Sequence, residues 1–154
     1  RLNAEIVIVN AIAVIAIAVM IHKEVNMIIK GMITTNDGPV DIAELKAGHK
    51  ILNQMHRAFA VSKVENMKAS EGYTFEKNPN LIVTKGTVVK TMHGDKKVEE
   101  LSGKEFYMAQ PNMRMVKDKA VQLKKKYTAY KVIAEGAGSI FAANYSLKLE
   151  DSNA

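Results

Sequence analysis

The sequence contains no cysteine and no tryptophan in 154 residues. A chain without thiols cannot form disulfides, hold a metal through thiolates, attach haem covalently or use a cysteine as a nucleophile. The same absence fits an oxidising, extracytoplasmic compartment, where a stray thiol is a liability. Aromatic residues make up only 6% of the chain, so the core has to be built from Ile, Val, Leu and the nine methionines. We therefore predict a domain without a cofactor.

Sequence motifs that carry catalysis are also missing. The chain has no GxSxG, Walker-type or GxGxxG motif. The carboxylate pairs Glu99-Glu100 and Glu150-Asp151 are adjacent in sequence, so their side chains would point to opposite sides of a strand. None of the four histidines stands in a metal-ligand spacing such as HExxH, and all are interpreted as surface residues: His22, His49, His56 and His93. We therefore predict that the protein is not an enzyme and binds no metal.

Basic residues outnumber acidic ones, which gives a formal net charge of +6 and a pI of about 9.4. The densest basic cluster contains five lysines: Lys117, Lys119, Lys124, Lys125 and Lys126. Such a cluster can touch phosphates or anionic lipid, but a solvated surface is the commoner reason for it. No aromatic residue is interleaved with these lysines to stack on bases. We predict that nucleic acid is not a partner.

The longest apolar run lies near the start of the chain, at residues 6–21 (IVIVNAIAVIAIAVMI), where Asn10 is the only polar residue. As a helix, this run would be ~24 Å long, a little short of the ~30 Å hydrocarbon core of a bilayer. Strands usually stop at about 4–8 residues, so the length favours a membrane helix. A buried strand or core helix is the alternative, because periodicity cannot separate these structures when every position is apolar. The chain starts with Arg1 and not with methionine, which indicates a fragment.

An apolar stripe continues beyond this run with the i, i+3, i+4, i+7 spacing of one helix face: Val25, Ile28, Ile29 and Met32. We therefore predict one long helix, a membrane anchor followed by an amphipathic stalk, over residues 1–34. Turn-forming residues cluster at 35–39 (TNDGP) and should end it. Asp41, with Glu44 three positions later, resembles a capping box for a second helix over residues 42–52.

Beyond the second helix, the pattern changes to that of a sheet. Alternating polar and apolar residues predict a first strand over residues 54–61, and the polar stretch at 62–79 is interpreted as a surface loop. Further short strands are predicted at residues 81–84, 87–92, 97–101, 104–108, 112–116, 127–134 and 139–149, and the last is the strongest. Residues 35–150 are therefore predicted to form one domain, followed by a tail or linker at residues 151–154.

The order of these elements is similar to that of extracytoplasmic sensor domains. Three stretches carry the similarity: residues 24–38 (EVNMIIKGMITTNDG), 57–66 (RAFAVSKVEN) and 138–150 (GSIFAANYSLKLE). They resemble, in turn, the stalk helix with its exit, the first strand with the turn after it, and the closing strand of PAS-like or single Cache domains. These domains form the sensor regions of bacterial chemoreceptors and histidine kinases.

The resemblance implies an α+β fold, in which a long N-terminal helix is followed by a PAS/Cache-like antiparallel sheet with flanking helices. It implies a ligand-sensing domain of a chemotaxis or two-component signal transducer, anchored in the inner membrane with the domain on the periplasmic side. The expected partners are the membrane, a small-molecule ligand and a second copy in a homodimer, which would signal through its stalk. Some of these sensors carry a haem-attachment motif, CxxCH. The matching stretch, residues 130–138 (YKVIAEGAG), lacks it, so covalent haem is not expected.

The ligand pocket of such a sensor is expected between the concave face of the sheet and the covering loops. Arg57 lies in an otherwise apolar predicted strand and is the leading candidate, because a guanidinium can bind a carboxylate in a bidentate manner. Tyr107, Arg114, Tyr130 and Asn144 are further candidates on the same reasoning. An anion is the ligand that best matches Arg57.

A second hypothesis is a bitopic scaffold subunit of a secretion or pilus machine. Its anchor would be followed by an α+β domain that binds proteins and no small ligand. A sensor should gain thermal stability from some small molecule by binding linkage, whereas a scaffold should respond only to protein partners.

Overall fold

β-Strands account for almost all regular structure in the computed structural model, which describes residues 26–110 and 114–150. These residues form 16 strands and one single-turn 3-10 helix, Val98–Glu100. The strands of the first half are β1 (Ile28–Lys30), β2 (Met32–Thr35), β3 (Gly38–Asp41), β4 (Lys50–Leu52), β5 (Ala58–Ala60), β6 (Lys63–Ala69), β7 (Gly72–Phe75) and β8 (Asn78–Val83). Those of the second half are β9 (Val88–Thr91), β10 (Gly94–Lys97), β11 (Phe106–Ala109), β12 (Arg114–Lys117), β13 (Ala120–Leu123), β14 (Tyr127–Ile133), β15 (Ser139–Ala142) and β16 (Tyr145–Lys148).

The strands form two antiparallel sheets. A six-stranded sheet has the order β13-β7-β8-β1-β14-β6. A ten-stranded sheet follows the path β10-β9-β11-β16-β15-β2-β4-β5, with β12 attached to β11 and β3 attached to β2. Strand β1 therefore lies between β8 and β14, which are far away in sequence, and this position brings the start of β1 next to the end of β8.

Side chains from both sheets meet in one main hydrophobic core. Successive side chains of a strand point to opposite faces of the sheet. In β8, Leu81 and Val83 are therefore buried in this core, while Ile82 between them packs against a second cluster on the other face. Fully buried side chains of this core come from the six-stranded sheet (Phe75, Leu81 and Val83) and from the ten-stranded sheet (Ile33, Ile51, Tyr107 and Leu147). The core therefore lies where the inner faces of the two sheets meet.

The fold class expected from the sequence, α+β with a long N-terminal helix, is wrong, because the described residues are β apart from the one 3-10 turn. Two members of the predicted stalk stripe, Ile28 and Ile29, are neighbours in β1 and join different clusters. Ile28 belongs to the main core and Ile29 to the second cluster. Met32 lies in β2 and is exposed. The helical spacing therefore arose from a strand with apolar residues on both faces, continued by an exposed methionine.

The predicted anchor at residues 6–21 lies outside the described residues, as do Val25 and the predicted tail at residues 151–154. Within the part of the chain that the structure describes, no helix has the length and apolar character needed to cross a membrane. The predicted domain boundary between residues 34 and 35 falls inside β2, which pairs with β3, β4 and β15.

The second predicted helix, residues 42–52, is reduced to one turn. Asp41 does cap it, because its carboxylate accepts a hydrogen bond from the backbone N–H of Ala43 at 2.9 Å and its carbonyl accepts one from Leu45 at 3.0 Å. The turn cannot continue, because Gly48 has a φ of 97° and its N–H donates to Val61 O at 3.1 Å. These bonds attach the segment to the sheet before β4 begins.

Three further predictions, one of a loop and two of strands, also change. Residues 62–79 contain β6, β7 and the start of β8, not a surface loop. Strand β6 was missed because most of its residues are exposed on both faces, so no alternation of polar and apolar residues marks it. The long strand predicted at 139–149 is a hairpin of β15 and β16, whose turn residues Ala143 and Asn144 have φ values of 45° and 70°. The strand predicted at 97–101 contains the 3-10 turn instead.

Candidate functional site

The backbone carbonyl of Met27, just before β1, is the most heavily hydrogen-bonded group at the candidate site. It accepts hydrogen bonds from Thr84 N at 3.0 Å, from Thr84 Oγ1 at 3.4 Å and from Thr87 Oγ1 at 3.2 Å. The N–H of Met27 donates to Thr87 Oγ1 at 3.2 Å. Thr87 is 1% exposed, so these hydrogen bonds to the N–H and the C=O of one residue are shielded from water. We call Met27, Thr84 and Thr87 the Met27 clamp.

The clamp follows from the topology and from one tight turn. Because β1 lies between β8 and β14, Met27 comes next to the connection from β8 to β9. In that connection, Thr87 N donates to Thr84 O at 3.1 Å, and Gly86 has a φ of 89°, a conformation that favours glycine. Gly86 N also donates to Glu99 Oε1 at 3.0 Å, which attaches the turn to the 3-10 helix. Both threonine hydroxyls are therefore placed on the same side of the turn.

Asn26 extends the site on its other side. Its Oδ1 accepts a hydrogen bond from Val88 N at 2.8 Å, whereas its Nδ2 is buried without a hydrogen-bond partner. Beside Asn26 lies a shallow cleft, which is also lined by Thr87, Tyr130, Lys148 and Leu149. The start of β1 and the end of β16 therefore meet at one cleft, and these are also the places where the described domain begins and ends.

The hydrogen bonds beside this cleft fix the chain's own backbone at Met27. Three donors converging on a carbonyl oxygen resemble the arrangement that stabilises an oxyanion, but acyl transfer also needs a nucleophile and a general base. The sequence has no cysteine, and among the described residues no histidine or carboxylate lines the cleft. In the same part of the chain, no group of three His, Asp or Glu residues could hold a metal.

The three histidines of the described residues lie elsewhere in the fold. His49 Nδ1 accepts a hydrogen bond from Lys46 N at 3.1 Å in the turn before β4. His56 stacks on Phe141 with ring centroids 6.0 Å apart. His93 is exposed in the turn between β9 and β10. None of them can act as a base on the Met27 peptide.

The five residues predicted to bind a ligand are not brought together. Arg57 is exposed ahead of β5, and Arg114 is exposed at the start of β12. Asn144 is exposed in the turn between β15 and β16, where its carbonyl accepts a hydrogen bond from Gln110 N at 2.8 Å. Tyr107 is fully buried in the main core. Tyr130 alone lines the cleft beside Asn26, and a role for any of the five in binding stays a prediction.

Tyr107 belongs to a buried polar group centred on Asp118. Its hydroxyl donates to Asp118 O at 3.1 Å, and the hydroxyl of Tyr145 donates to Asp118 Oδ2 at 2.6 Å. Burial raises the pKa of both tyrosines, and the nearby Asp118 carboxylate raises each pKa further, so both hydroxyls stay protonated donors. This arrangement is part of the core, not a pocket.

Sequence reasoning missed Asn26, Thr84 and Thr87. The residues Lys85-Gly86 between β-branched neighbours did predict the turn. A threonine on each side of that turn was the available signal, since Thr hydroxyls commonly bond to nearby backbone groups. This signal does not identify the hydrogen-bond partner, because Met27 is 60 residues away from Thr87 in the sequence.

The architecture, two antiparallel sheets around one core with the domain's two ends at one cleft, is that of intein-like domains. A triple mutant of the gp41-1 intein aligns with a TM-score of 0.69 at 18% identity, covering 82% of this chain and 100% of the intein. The DnaB intein from Synechocystis sp. PCC 6803 gives 0.65 at 16% identity, with 82% and 99% covered. A bacterial intein-like domain from Clostridium thermocellum gives 0.62 at 19%, with 80% and 98% covered. No protein-family model and no curated protein sequence matches the chain.

The chain therefore has an intein-like fold, and the resemblance to PAS-like or single Cache sensors is wrong. The assignments that depended on it are overturned as well. These are the chemotaxis or two-component sensor, the bitopic scaffold subunit, the inner-membrane and periplasmic localisation, and the membrane and small-molecule partners. The homodimer mechanism loses its basis, because the predicted stalk is strand β1 where the structure describes it.

Replacing Thr87 with valine should weaken the fold at the clamp. Thr87→Val keeps the shape of the side chain but leaves the buried N–H of Met27 without its acceptor, which costs about 1–3 kcal/mol. Thr84→Val is the matched control and should cost less, because its hydroxyl contact with Met27 O is long, at 3.4 Å, and Thr84 N still donates to that oxygen. Urea unfolding followed by circular dichroism measures both. Equal losses would show that Thr87 has no special role.

Proposed function

We propose that the chain is a non-splicing intein-fold domain, which holds the two chain segments that meet at its cleft side by side without cutting or joining them. The observation that carries the proposal is the Met27 clamp. It fixes a peptide unit with three hydrogen bonds to its carbonyl oxygen, in a cleft that no histidine or carboxylate of the described residues lines. The chemistry of the described residues therefore supports holding a peptide unit in place and not cleaving it.

Splicing has chemical requirements that the described residues at this cleft do not meet. Inteins catalyse protein splicing, which transfers acyl groups between peptide bonds and therefore needs an activated nucleophile. This chain has no cysteine. The hydroxyls of Thr84 and Thr87 are both directed at Met27 O, and a hydroxyl is a weak nucleophile without an adjacent base. That the protein is not an enzyme stays a prediction from the sequence.

The two ends of the described domain lie at the same cleft, which Asn26 and Leu149 both line. Asn26 is bonded to Val88 N, and Val88 precedes Val89, which pairs with Leu147 in β16. Leu149 N donates in turn to Gly138 O at 3.0 Å. Hydrogen bonds and strand pairing therefore fix both ends of the described domain in the same part of the fold. Domains whose ends lie close together can be inserted into a host chain without separating its two parts.

A fusion experiment tests the proposal. Two foreign domains of different mass are fused to the two ends of the full 154-residue chain, and the products are followed by intact-mass spectrometry with and without hydroxylamine, which captures ester intermediates. We expect only the full-length fusion, with no loss over several days. The gp41-1 intein between the same two domains is the positive control. A spliced product, or a single cleavage at either junction, would overturn the proposal.

A further inference from the structure

The inner face of the six-stranded sheet packs on the main core. Its outer face carries a row of apolar residues. Strand register places Val121, Thr74 and Ile82 side by side on β13, β7 and β8, and Ala129 beside Met67 on β14 and β6. Between these two groups, a register shift in β1 sets Lys30 opposite Ile82, and it is packing in the second cluster that joins Ile82 to Ile29 and Ala129. We call these six apolar or threonine residues the outer stripe: Val121, Thr74, Ile82, Ile29, Ala129 and Met67. Three of them are in the second hydrophobic cluster or pack against it, namely Ile29, Ala129 and Ile82. At its two ends the stripe is open to solvent, with Met67 57% exposed and Val121 37% exposed.

Two of the strands under the outer stripe, β1 and β8, carry apolar residues on both faces. In β1, Ile28 lies in the main core and Ile29 in the second cluster. In β8, Val83 lies in the main core and Ile82 packs against the second cluster. Strands of this kind are typical of sheets that are covered on both sides, whereas an antiparallel sheet with one wet face alternates apolar and polar residues. The centre of the outer face, at β1 and β8, therefore has the composition of a face that is covered.

We propose that the apolar run at residues 6–21 of the same chain covers the outer stripe. This run is a complementary surface, since Asn10 is its only polar residue and it carries no charge. It is also tethered at the right place, because Met27 is itself a buried member of the second cluster. Only residues 22–26 separate the run from Met27, so its effective concentration at the stripe is high.

The dimensions agree with this assignment. Five connecting residues reach up to ~17 Å, and with strands spaced ~4.8 Å apart both edges of the sheet lie within ~15 Å of β1. Even at the short rise of a helix, 16 residues extend ~24 Å, which is also the width of six strands. The run can therefore cover the whole stripe, whichever backbone conformation it adopts. The proposal does not depend on the proposed function and can fail independently.

Methionine oxidation tests the proposal on the full chain. Met67 and Met92 have nearly equal exposure over the described residues, 57% and 60%, but Met92 lies in the turn between β9 and β10, away from the stripe. If the run covers the stripe, hydrogen peroxide should oxidise Met67 about fivefold more slowly than Met92, because oxidation follows exposure. Tryptic peptides that contain one methionine each, VENMK and TMHGDK, allow both rates to be measured in one sample.

A charged variant supplies the matched control. In the double variant Ile8→Asp/Val14→Asp, the run loses its apolar character, and the Met67 rate should rise to that of Met92. Asn3→Asp adds the same kind of charge outside the run and should leave the ratio unchanged. Circular dichroism of each variant confirms that the sheets are folded. Equal oxidation rates of Met67 and Met92 in the unmodified chain would overturn the proposal.

Crosslinking gives an independent measurement, since the chain has no cysteine of its own. A Val14→Cys/Met67→Cys pair should form a disulfide within one chain under mild oxidation, whereas Val14→Cys/Met92→Cys should not. A crosslink found only between two chains, or oxidation protection that disappears on dilution, would assign the stripe to a second copy and reject the proposal. If Met67 is protected from oxidation only when phosphatidylcholine vesicles are present, the proposal is rejected as well.

Discussion

The Asp118→Ala variant is expected to lose about 3–5 kcal/mol of unfolding free energy. Asp118 is 3% exposed, and its carboxylate accepts hydrogen bonds from the hydroxyl of Tyr145 at 2.6 Å and from the N–H groups of Lys77 at 2.9 Å and Lys119 at 2.7 Å. Alanine would remove all three acceptor contacts at once. Because most domains are stable by only about 5–15 kcal/mol, a loss of this size removes a large share of the stability and should clearly lower the urea midpoint.

The size of the effect comes from the groups left behind. A buried donor that loses its partner pays its full desolvation cost, and hydrogen bonds to a charged acceptor are stronger than neutral ones. Three donors would be affected, and they belong to three different parts of the fold: Lys77 lies between β7 and β8, Lys119 precedes β13 and Tyr145 begins β16. Asp118 therefore connects the two sheets, and its loss should lower the cooperativity of unfolding along with the midpoint.

Two milder variants separate the contributions. Asp118→Asn keeps one carbonyl oxygen for the backbone N–H groups but removes the charge, and it should cost about half as much as Asp118→Ala. Tyr145→Phe removes only the 2.6 Å contact and should cost about 1–2 kcal/mol. All three are measured by urea unfolding with circular dichroism detection. A loss below about 1 kcal/mol for Asp118→Ala would mean that solvent replaces the carboxylate, contrary to the burial described above.

How far the sequence could predict this structure is clearest from individual strands. The strand predicted at residues 127–134 is confirmed as β14, and the one at 87–92 as β9, because both carry β-branched or aromatic residues between turn signals. Strand β6 was not recognised, since its pairing with β14 rests on backbone hydrogen bonds and its side chains are mostly exposed. Local pattern therefore identifies half-buried strands and misses exposed edge strands.

The N-terminal strand shows a different limit. Residues 25–32 fit the spacing of a helix face, and an apolar run precedes them, so a continuous helix was the simplest interpretation. What makes β1 a strand is its place between β8 and β14, where Ile28 pairs with Val83 and Tyr130. These partners are more than 50 residues away, and no local pattern indicates them. Tertiary pairing here overrides the helical periodicity.

The residues of the candidate site are likewise brought together by tertiary pairing and not by a local pattern. Of the residues predicted to bind a ligand, Tyr130 alone lines the cleft. The residues that form the clamp, Thr84 and Thr87, were interpreted as the ends of a turn, and the turn itself is present. Their function as donors to Met27 depends on the position of β1, so it became visible only when the sheet order was known. The chemical exclusions drawn from the missing cysteines did not depend on the fold.

The second large effect is expected for Phe75→Ala, which should cost about 3–5 kcal/mol. Phe75 is 0% exposed and lies in the six-stranded sheet. Its ring makes edge-on contacts with Tyr107 and Tyr145 of the ten-stranded sheet, at centroid distances of 5.4 and 5.3 Å and an interplanar angle of 74° in each case. Truncation would leave a cavity at the contact between the two sheets, where strands on both sides limit any collapse.

Two variants decide whether the position or the residue type causes the loss. Phe59→Ala removes the same atoms from a half-buried ring in β5 and should cost clearly less. Phe75→Leu keeps most of the volume and should cost about 1–2 kcal/mol, in part through the lost aromatic contacts. A double-mutant cycle of Phe75→Leu with Tyr107→Leu should give a coupling energy of about 0.5–1.5 kcal/mol. If Phe75→Ala and Phe59→Ala shift the urea midpoint equally, the aromatic contact between the sheets does not determine stability, and the core is held chiefly by its aliphatic residues.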